Sequence, residues 1–335
     1  MLLRQCLCLW FAFLVGSFHL CLTSGEWYSP LRRGGRIRTI TVDQSGKGDF
    51  SSIQAAINSV PNNNQYWVYI KIKAGIYREQ VEIPQDKPYI ILKGQSRKRT
   101  KIVWDDYDAI EKATFKTKAD NTVAISITFV NSYNFPKNNK PIVRAVAAMV
   151  AGDKCAFYKC GFQGMQDTLW DTRWGSRGRH YFKRCSIQGS VDFIFGNAQS
   201  LYEDCYIQAR EAKGFITAQR RNSPEEEGGF VFKRCKVFGR GPTYLGRPWG
   251  AYARVIFYKS NLTNVVDPSG WDSWVYNGQE QHLTFQEVGN YGPGADTSRR
   301  VSWINKLNLG TVQELTSLSF VNQDDWVQKL PVRMK

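Results

Sequence analysis

The chain has 335 residues and carries 45 Lys and Arg against 29 Asp and Glu, a net charge of +16, with 42% hydrophobic residues and only three His. Beyond the first 25 residues the only His are His180 and His282, far apart, and there is no G-x-S-x-G elbow, which excludes a Ser-His-Asp hydrolase and a His-based metal site. No second apolar segment follows the N-terminal one, which excludes a membrane anchor farther along.

Residues 1–25 hold one charge, Arg4, and an apolar run over residues 6–22 followed by Thr23, Ser24 and Gly25. This reads as a cleaved secretory signal, so the mature chain is expected to be secreted, with a charge reduced from +16 to +15 by the loss of Arg4. A strongly basic chain outside the cell meets acidic polysaccharide rather than nucleic acid. Three of the eight cysteines, Cys6, Cys8 and Cys21, leave with the signal.

Residues 26–38 are rich in Gly and Arg and are expected to be poorly ordered. From Thr39 the pattern becomes structural, with Ile40 and Val42 starting a strand, a turn over residues 46–49, and Ile53, Ala56 and Ile57 at helical spacing before Pro61. A strand is expected over residues 67–72, with a turn at Ala74 and Gly75. A short amphipathic helix at this end would cover the open face of whatever stacks behind it.

From Phe157 the chain repeats itself. Phe157, Cys160, Phe162, Gly164 and Asp167 recur at identical offsets as Phe182, Cys185, Ile187, Gly189 and Asp192. The frame continues without the acids as Tyr202, Cys205 and Ile207, then Phe232, Cys235 and Val237, then Phe257, Ser260 and Leu262. An aromatic, a small sulfur or hydroxyl residue and an aliphatic, returning every 20–30 residues, mark a solenoid whose turns stack. Parallel pairing of neighbouring turns would separate the Asp167 and Asp192 backbones by about 4.8 Å. Two carboxylates with apolar neighbours cannot both ionise freely, so one becomes an acid and the other a nucleophile. The ladder cysteines, with Cys155, behave as buried apolar residues, and no essential disulfide is expected.

Four segments carry a family resemblance. Residues 73–83 (KAGIYREQVEI) with residues 43–56, residues 164–170 (GMQDTLW), residues 191–198 (VDFIFGNA) and residues 245–249 (LGRPW) resemble, in order and spacing, the plant pectin methylesterases, over about residues 39–320. The likeness is to the short type, a signal followed by the enzyme without an inhibitor-like pro-region.

The resemblance implies an all-β chain, a single right-handed parallel β-helix over residues 39–335 with short capping helices. It implies hydrolysis of galacturonate methyl esters in cell-wall pectin, without metal or other cofactor. Carried onto matching positions, Asp192 would be the nucleophile, Asp167 the general acid and then base, Gln166 an oxyanion donor, and Arg247 the partner that orients Asp192. Trp170, Phe195, Tyr244 and Trp249 would line the sugar cleft. The implied partners are methylated homogalacturonan and a proteinaceous inhibitor, with no nucleic acid and no membrane, and the solenoid suggests a monomer.

One departure stands out. Alignment of residues 145–153 (AVAAMVAGD) places Arg144 where these enzymes usually carry a Gln that completes the oxyanion hole, and Met149 where they often carry Arg. A fixed cation there would favour the ionised form of Asp167 and so weaken the enzyme or shift its pH profile. A catalytically weak or inactive pectin-binding relative is therefore the alternative, with a glycosidase or lyase of the same fold as a third reading. Asn261-Leu262-Thr263 is a glycosylation sequon, and Asp105, Asp106 and Asp108 are expected to form an exposed acidic loop rather than a calcium site.

Overall fold

The computed structural model describes residues 37–304 and 306–333. The segments 1–25 and 26–36, with the signal expected there, lie outside the described residues. Strand Arg38–Val42 begins within the segment expected to lack order, because it pairs in register with Val68–Ile72 and buries Ile40 and Val42.

Each turn of the chain lays down three short strands. One turn runs Cys155–Tyr158, Gly161–Gln163, Leu169–Asp171, and the next runs Arg179–Lys183, Ser186–Gly189, Ile194–Gly196. Like strands pair in parallel from turn to turn, giving among the described residues a wide sheet of ten strands, a middle sheet of eight and a third of seven. The result is an all-β right-handed parallel β-helix.

Alternation along each strand sends the repeat residues inward. Phe157, Phe182, Tyr202, Phe232 and Phe257 are paired rung to rung and buried, with successive rings near-parallel and centroids 4.5–5.0 Å apart. Each such ring buried contributes about 1.5–3 kcal/mol of transfer free energy. Beside them Cys160, Cys185, Cys205 and Cys235 form a second buried column, and Cys155 is also buried; all five are free. The Cys185 thiol donates to the Phe157 carbonyl at 3.4 Å, Cys205 to Phe182 at 3.5 Å and Cys235 to Tyr202 at 3.3 Å. Ser260 continues the pattern, donating to Phe232 at 3.2 Å.

Helix Ile53–Asn58 covers the N-terminal end, burying Ile53, Ala56 and Ile57, with the Ser52 hydroxyl accepting from the Ala55 amide as its N-cap. At the other end of the sequence, helix Leu309–Leu315 and the following segment pack Phe320, Val321 and Trp326 against Tyr158, Tyr181 and Leu201 on the outer face of the wide sheet. Gln199 donates to the Phe320 carbonyl at 2.7 Å, and the buried Arg179 bridges Asp153 and Asp324. No helix among the described residues is long and apolar enough to cross a membrane.

Candidate active site

The two repeated acids sit where the middle sheet turns into the seven-stranded sheet. Gln166 pairs with Val191 and Leu169 with Ile194, which sets Asp167 opposite Asp192 on adjacent turns. Both adopt left-handed backbone, with φ of 58° and 47°, a conformation Asp tolerates better than most residues. The Asp167 amide donates to the Val191 carbonyl at 3.0 Å, so the backbone of the following turn holds the first acid in place.

Both carboxylates are buried, though they lie beside the protein surface. Burial raises the Asp167 carboxyl to about 7, Asp192 adds to the rise, and Arg144 and Arg247 pull the other way. Burial also raises Asp192, opposed by a hydrogen bond and charge from Arg247. Arg247 meets Asp192 bidentately, Nε to Oδ1 at 2.9 Å and Nη2 to Oδ2 at 2.6 Å, the geometry in which a guanidinium best holds a carboxylate ionised. Asp167 has no such partner, so the proton of the pair rests on Asp167.

Arg247 is carried by strand Thr243–Pro248, which lies directly on Gly214–Gln219. Gly246 permits that approach, since a Cβ there would fall 1.9 Å from the Thr217 hydroxyl. The guanidinium is sandwiched between Phe215, at 4.1 Å, and Trp274, at 3.9 Å. Phe215 in turn stacks on Tyr244, ring centroids 5.2 Å apart. On the other side of the acids Trp170 stacks on Phe195 at 5.9 Å, and Phe195 meets Trp249 at the same separation. The four aromatic residues named from sequence are thus two flanking groups, and Phe215 and Trp274 complete one of them. Phe215 lay outside the repeat frame and was missed; Trp271 and Trp274, after Pro268 and Gly270, were open from sequence between the cleft rim and packing, and the structure puts Trp274 over Arg247 and buries Trp271 in the core.

Gln166 is half-buried and forms an isolated bridge with Arg144 on the preceding turn. Arg144 therefore lies one rung from Gln166, as the sequence alignment requires. Its side chain is half exposed, and Nη2 pairs with Asp108 at 3.5 Å, while the Asp108 amide donates to the Arg144 carbonyl. The expected pull of Arg144 on Asp167 is present, yet burial and Asp192 outweigh it. Met149 is buried against Val146 and Phe195.

Asp106 pairs with Lys112 and Asp108 with Arg144, and no group of three His, Cys, Asp or Glu among the described residues is arranged to hold a metal. His180 is buried within the solenoid, Nδ1 2.5 Å from Asp171, which also accepts from the Tyr202 hydroxyl. That His-Asp pair is sealed in the core. Asn261 is partly exposed beside the buried Leu262.

A pectinesterase family model matches residues 39–324. Probable pectinesterase 55 of Arabidopsis thaliana is 53% identical over 306 residues, covering 88% of this chain and 92% of that protein. Probable pectinesterase 29 of the same plant is 52% identical over 304 residues, covering 88% and 90%. Among solved structures, the pectin methylesterase from carrot superposes with a TM-score of 0.80 at 32% identity, covering 89% of this chain and 97% of that one. Together with a buried aspartate pair at the head of two adjacent turns, these likenesses establish that the chain belongs to the pectinesterase family of carboxylic ester hydrolases.

Proposed function

We propose that this chain removes methyl groups from the galacturonate esters of pectin by covalent catalysis on Asp192, with Asp167 as acid and then base. The observation that carries the reading is the asymmetry of the pair: Arg247 engages Asp192 bidentately, while burial beside Asp192 raises Asp167 to about 7.

The ionised Asp192 attacks the ester carbonyl carbon, and the carbonyl oxygen becomes an oxyanion. In this reading Gln166 donates its side-chain amide to it, and Arg144, one rung away, donates in place of an amide on turning from Asp108. A donor of this kind is worth roughly 3–4 kcal/mol where it has been removed from another hydrolase. As the tetrahedral species collapses, the carbon–methoxy bond breaks and Asp167 gives its proton to the departing methanol. The galacturonyl group is left as an anhydride on Asp192. Water then attacks that carbonyl, losing a proton to Asp167, and the Asp192–acyl bond breaks to leave Asp192 ionised and the galacturonic acid, whose remaining proton passes to solvent. Trp170, Phe195, Tyr244 and Trp249 offer flat apolar faces to the sugar rings.

The same reading gives the chain its setting: a mature enzyme cut after residue 25, acting as a monomer outside the cell on wall pectin, open to a protein inhibitor over the cleft, and glycosylated at Asn261. A second reading, a pectin-binding chain with little turnover, is favoured by one observation, the cation Arg144 bearing on Asp167.

Methanol release from highly methylated pectin by the purified mature chain, with Asp192→Asn as the blank, tests both. Release that the substitution abolishes supports the aspartyl esterase. Absence of release from folded chain that still binds pectin supports the second reading, and a shortening of the polymer would refute both.

A further inference from the structure

The residue immediately before each ladder Cys or Ser forms the corner between the wide and middle sheets. These corner residues are Lys159, Arg184, Asp204, Arg234 and Lys259, all in left-handed backbone with φ of 49–56°. Lys159 donates its amide to the Lys183 carbonyl, Arg184 to Glu203 and Arg234 to Tyr258, so the corners repeat once per turn at the rung spacing of about 4.8 Å. Left-handed backbone favours Gly and Asn. Four of these five positions instead carry a cation.

The cations are not equivalent. Arg234 is engaged by Asp204 at 2.9 Å and Glu203 at 2.8 Å. Lys159 stands over the Tyr158 ring, and the Arg184 guanidinium donates to the Tyr158 hydroxyl at 3.4 Å. Arg97 reaches along the corner to the Arg184 carbonyl at 3.1 Å. Beneath them the half-buried Lys93 ammonium is held below its usual range by burial and by the charge of Lys159. Ser96, Ser126 and the exposed ring of Tyr206 complete an open groove of about 430 Å³ along Arg97, Lys159 and Arg184. Its one acid, Asp204, already holds Arg234.

This groove lies at the opposite end of the middle-sheet strands from Asp167 and Asp192, so it is separate from the cleft. Lys159 and Arg184 on adjacent rungs, with Arg97 beside them, give the groove a positive field that suits an anionic polymer. Serine hydroxyls and an exposed tyrosine ring suit a sugar between the charges. The reaction assigned to the chain makes such a polymer, since each methanol released leaves a free carboxylate.

We propose that the corner groove is a second binding site, for a demethylated run of the galacturonate polymer, which tethers the enzyme to its own product; this rests on the pectinesterase reading. Two weak contacts on one chain raise overall affinity through effective concentration.

The test compares wild type with Lys159→Gln/Arg184→Gln and with Lys71→Gln/Arg299→Gln, which removes the same charge from exposed positions outside the groove. Two quantities are measured: calorimetric affinity for fully demethylated polygalacturonate at low salt, and methanol release from a short methylated oligogalacturonide. The groove variant is expected to lose about tenfold in affinity, the control less than about threefold, with methanol release unchanged in both. Equal affinities for the two variants would overturn the proposal, as would methanol release falling in step with affinity in the groove variant. If the double variant fails to melt cooperatively, Lys159→Gln alone replaces it, and an affinity equal to wild type then refutes the groove. Polygalacturonate binding by a wild type that releases no methanol would refute the esterase reading and leave the groove standing.

Discussion

Trp274 lies face-on to the guanidinium of Arg247 at 3.9 Å, while the edge of the same guanidinium holds Asp192. Charge and orientation at Asp192 therefore depend on Trp274 through Arg247. Arg247→Lys keeps the charge and loses the fork and the stacking, and is expected to lower kcat on the order of 100-fold. Trp274→Ala removes one face of the sandwich, worth about 0.5–1 kcal/mol, and is expected to cost roughly two- to fivefold. Initial rates of methanol release check both. In the Lys variant the acid limb of the pH profile should also move upward, because burial then raises Asp192 with less opposition.

Asp167 carries a stability cost that its role requires. Its carboxyl lies at about 7 in the folded chain against an ordinary value of 3.8. The folded chain thus keeps a proton that the unfolded chain has lost, and stability falls as pH rises between those values, the whole cost standing above 7. Asp167→Asn is expected to abolish turnover and to stabilise the fold by roughly 2–4 kcal/mol at pH near 8, with little gain at pH near 4. Denaturant melts at the two pH values decide it.

Arg144 and Asp108 should tune the alkaline limb in opposite directions. The proposed mechanism needs Asp167 protonated, so activity is expected to decline as pH rises through about 7. Arg144→Gln removes a pull toward the ionised form and is expected to move that limb to higher pH. Asp108→Asn removes the partner of Arg144, at 3.5 Å, and is expected to move it lower. An unchanged profile in Arg144→Gln would show that the guanidinium does not act on the reacting pair.

The aromatic column links adjacent turns through the core. Phe182 stacks on Phe157 at 5.0 Å and on Tyr202 at 4.6 Å, fully buried. Phe182→Ala is expected to cost about 3–5 kcal/mol. Because turns contact chiefly their neighbours, the loss should appear first as faster amide exchange in residues 157–202, beside the acids. Hydrogen exchange by mass spectrometry would show it.

The sequence made some of this legible. Columns are written as a period, so Phe157, Cys160 and Phe162 and their successors can be placed inward from the sequence alone, and two acids at one offset fall on adjacent turns. What stayed hidden has no period. Asp171 and His180 meet in the core because adjacent turns bring them together, yet neither recurs. Arg179 reaches Asp324 across 145 positions of chain. Phe215 reaches Arg247, and Asp108 reaches Arg144 from a loop, contacts that only the wound chain defines; Trp274 was open from sequence between cleft rim and packing, and its partner Arg247 was not legible there. The strand at Arg38–Val42 was expected to start later because the partner of Arg38, Val68, lies thirty residues on.

The column of thiols has a use beyond packing. Cys155, Cys160, Cys185, Cys205 and Cys235 are free and buried, and burial pushes the first four well above the usual thiol range. A thiol reagent in solution can react only when a turn has opened to admit it. The rate at which each cysteine is alkylated in the native protein therefore clocks the unwinding of its own coil. The molecule carries a graduated gauge of local opening along its axis, and three of its marks, Cys155, Cys160 and Cys185, lie on the two turns that bear the acids.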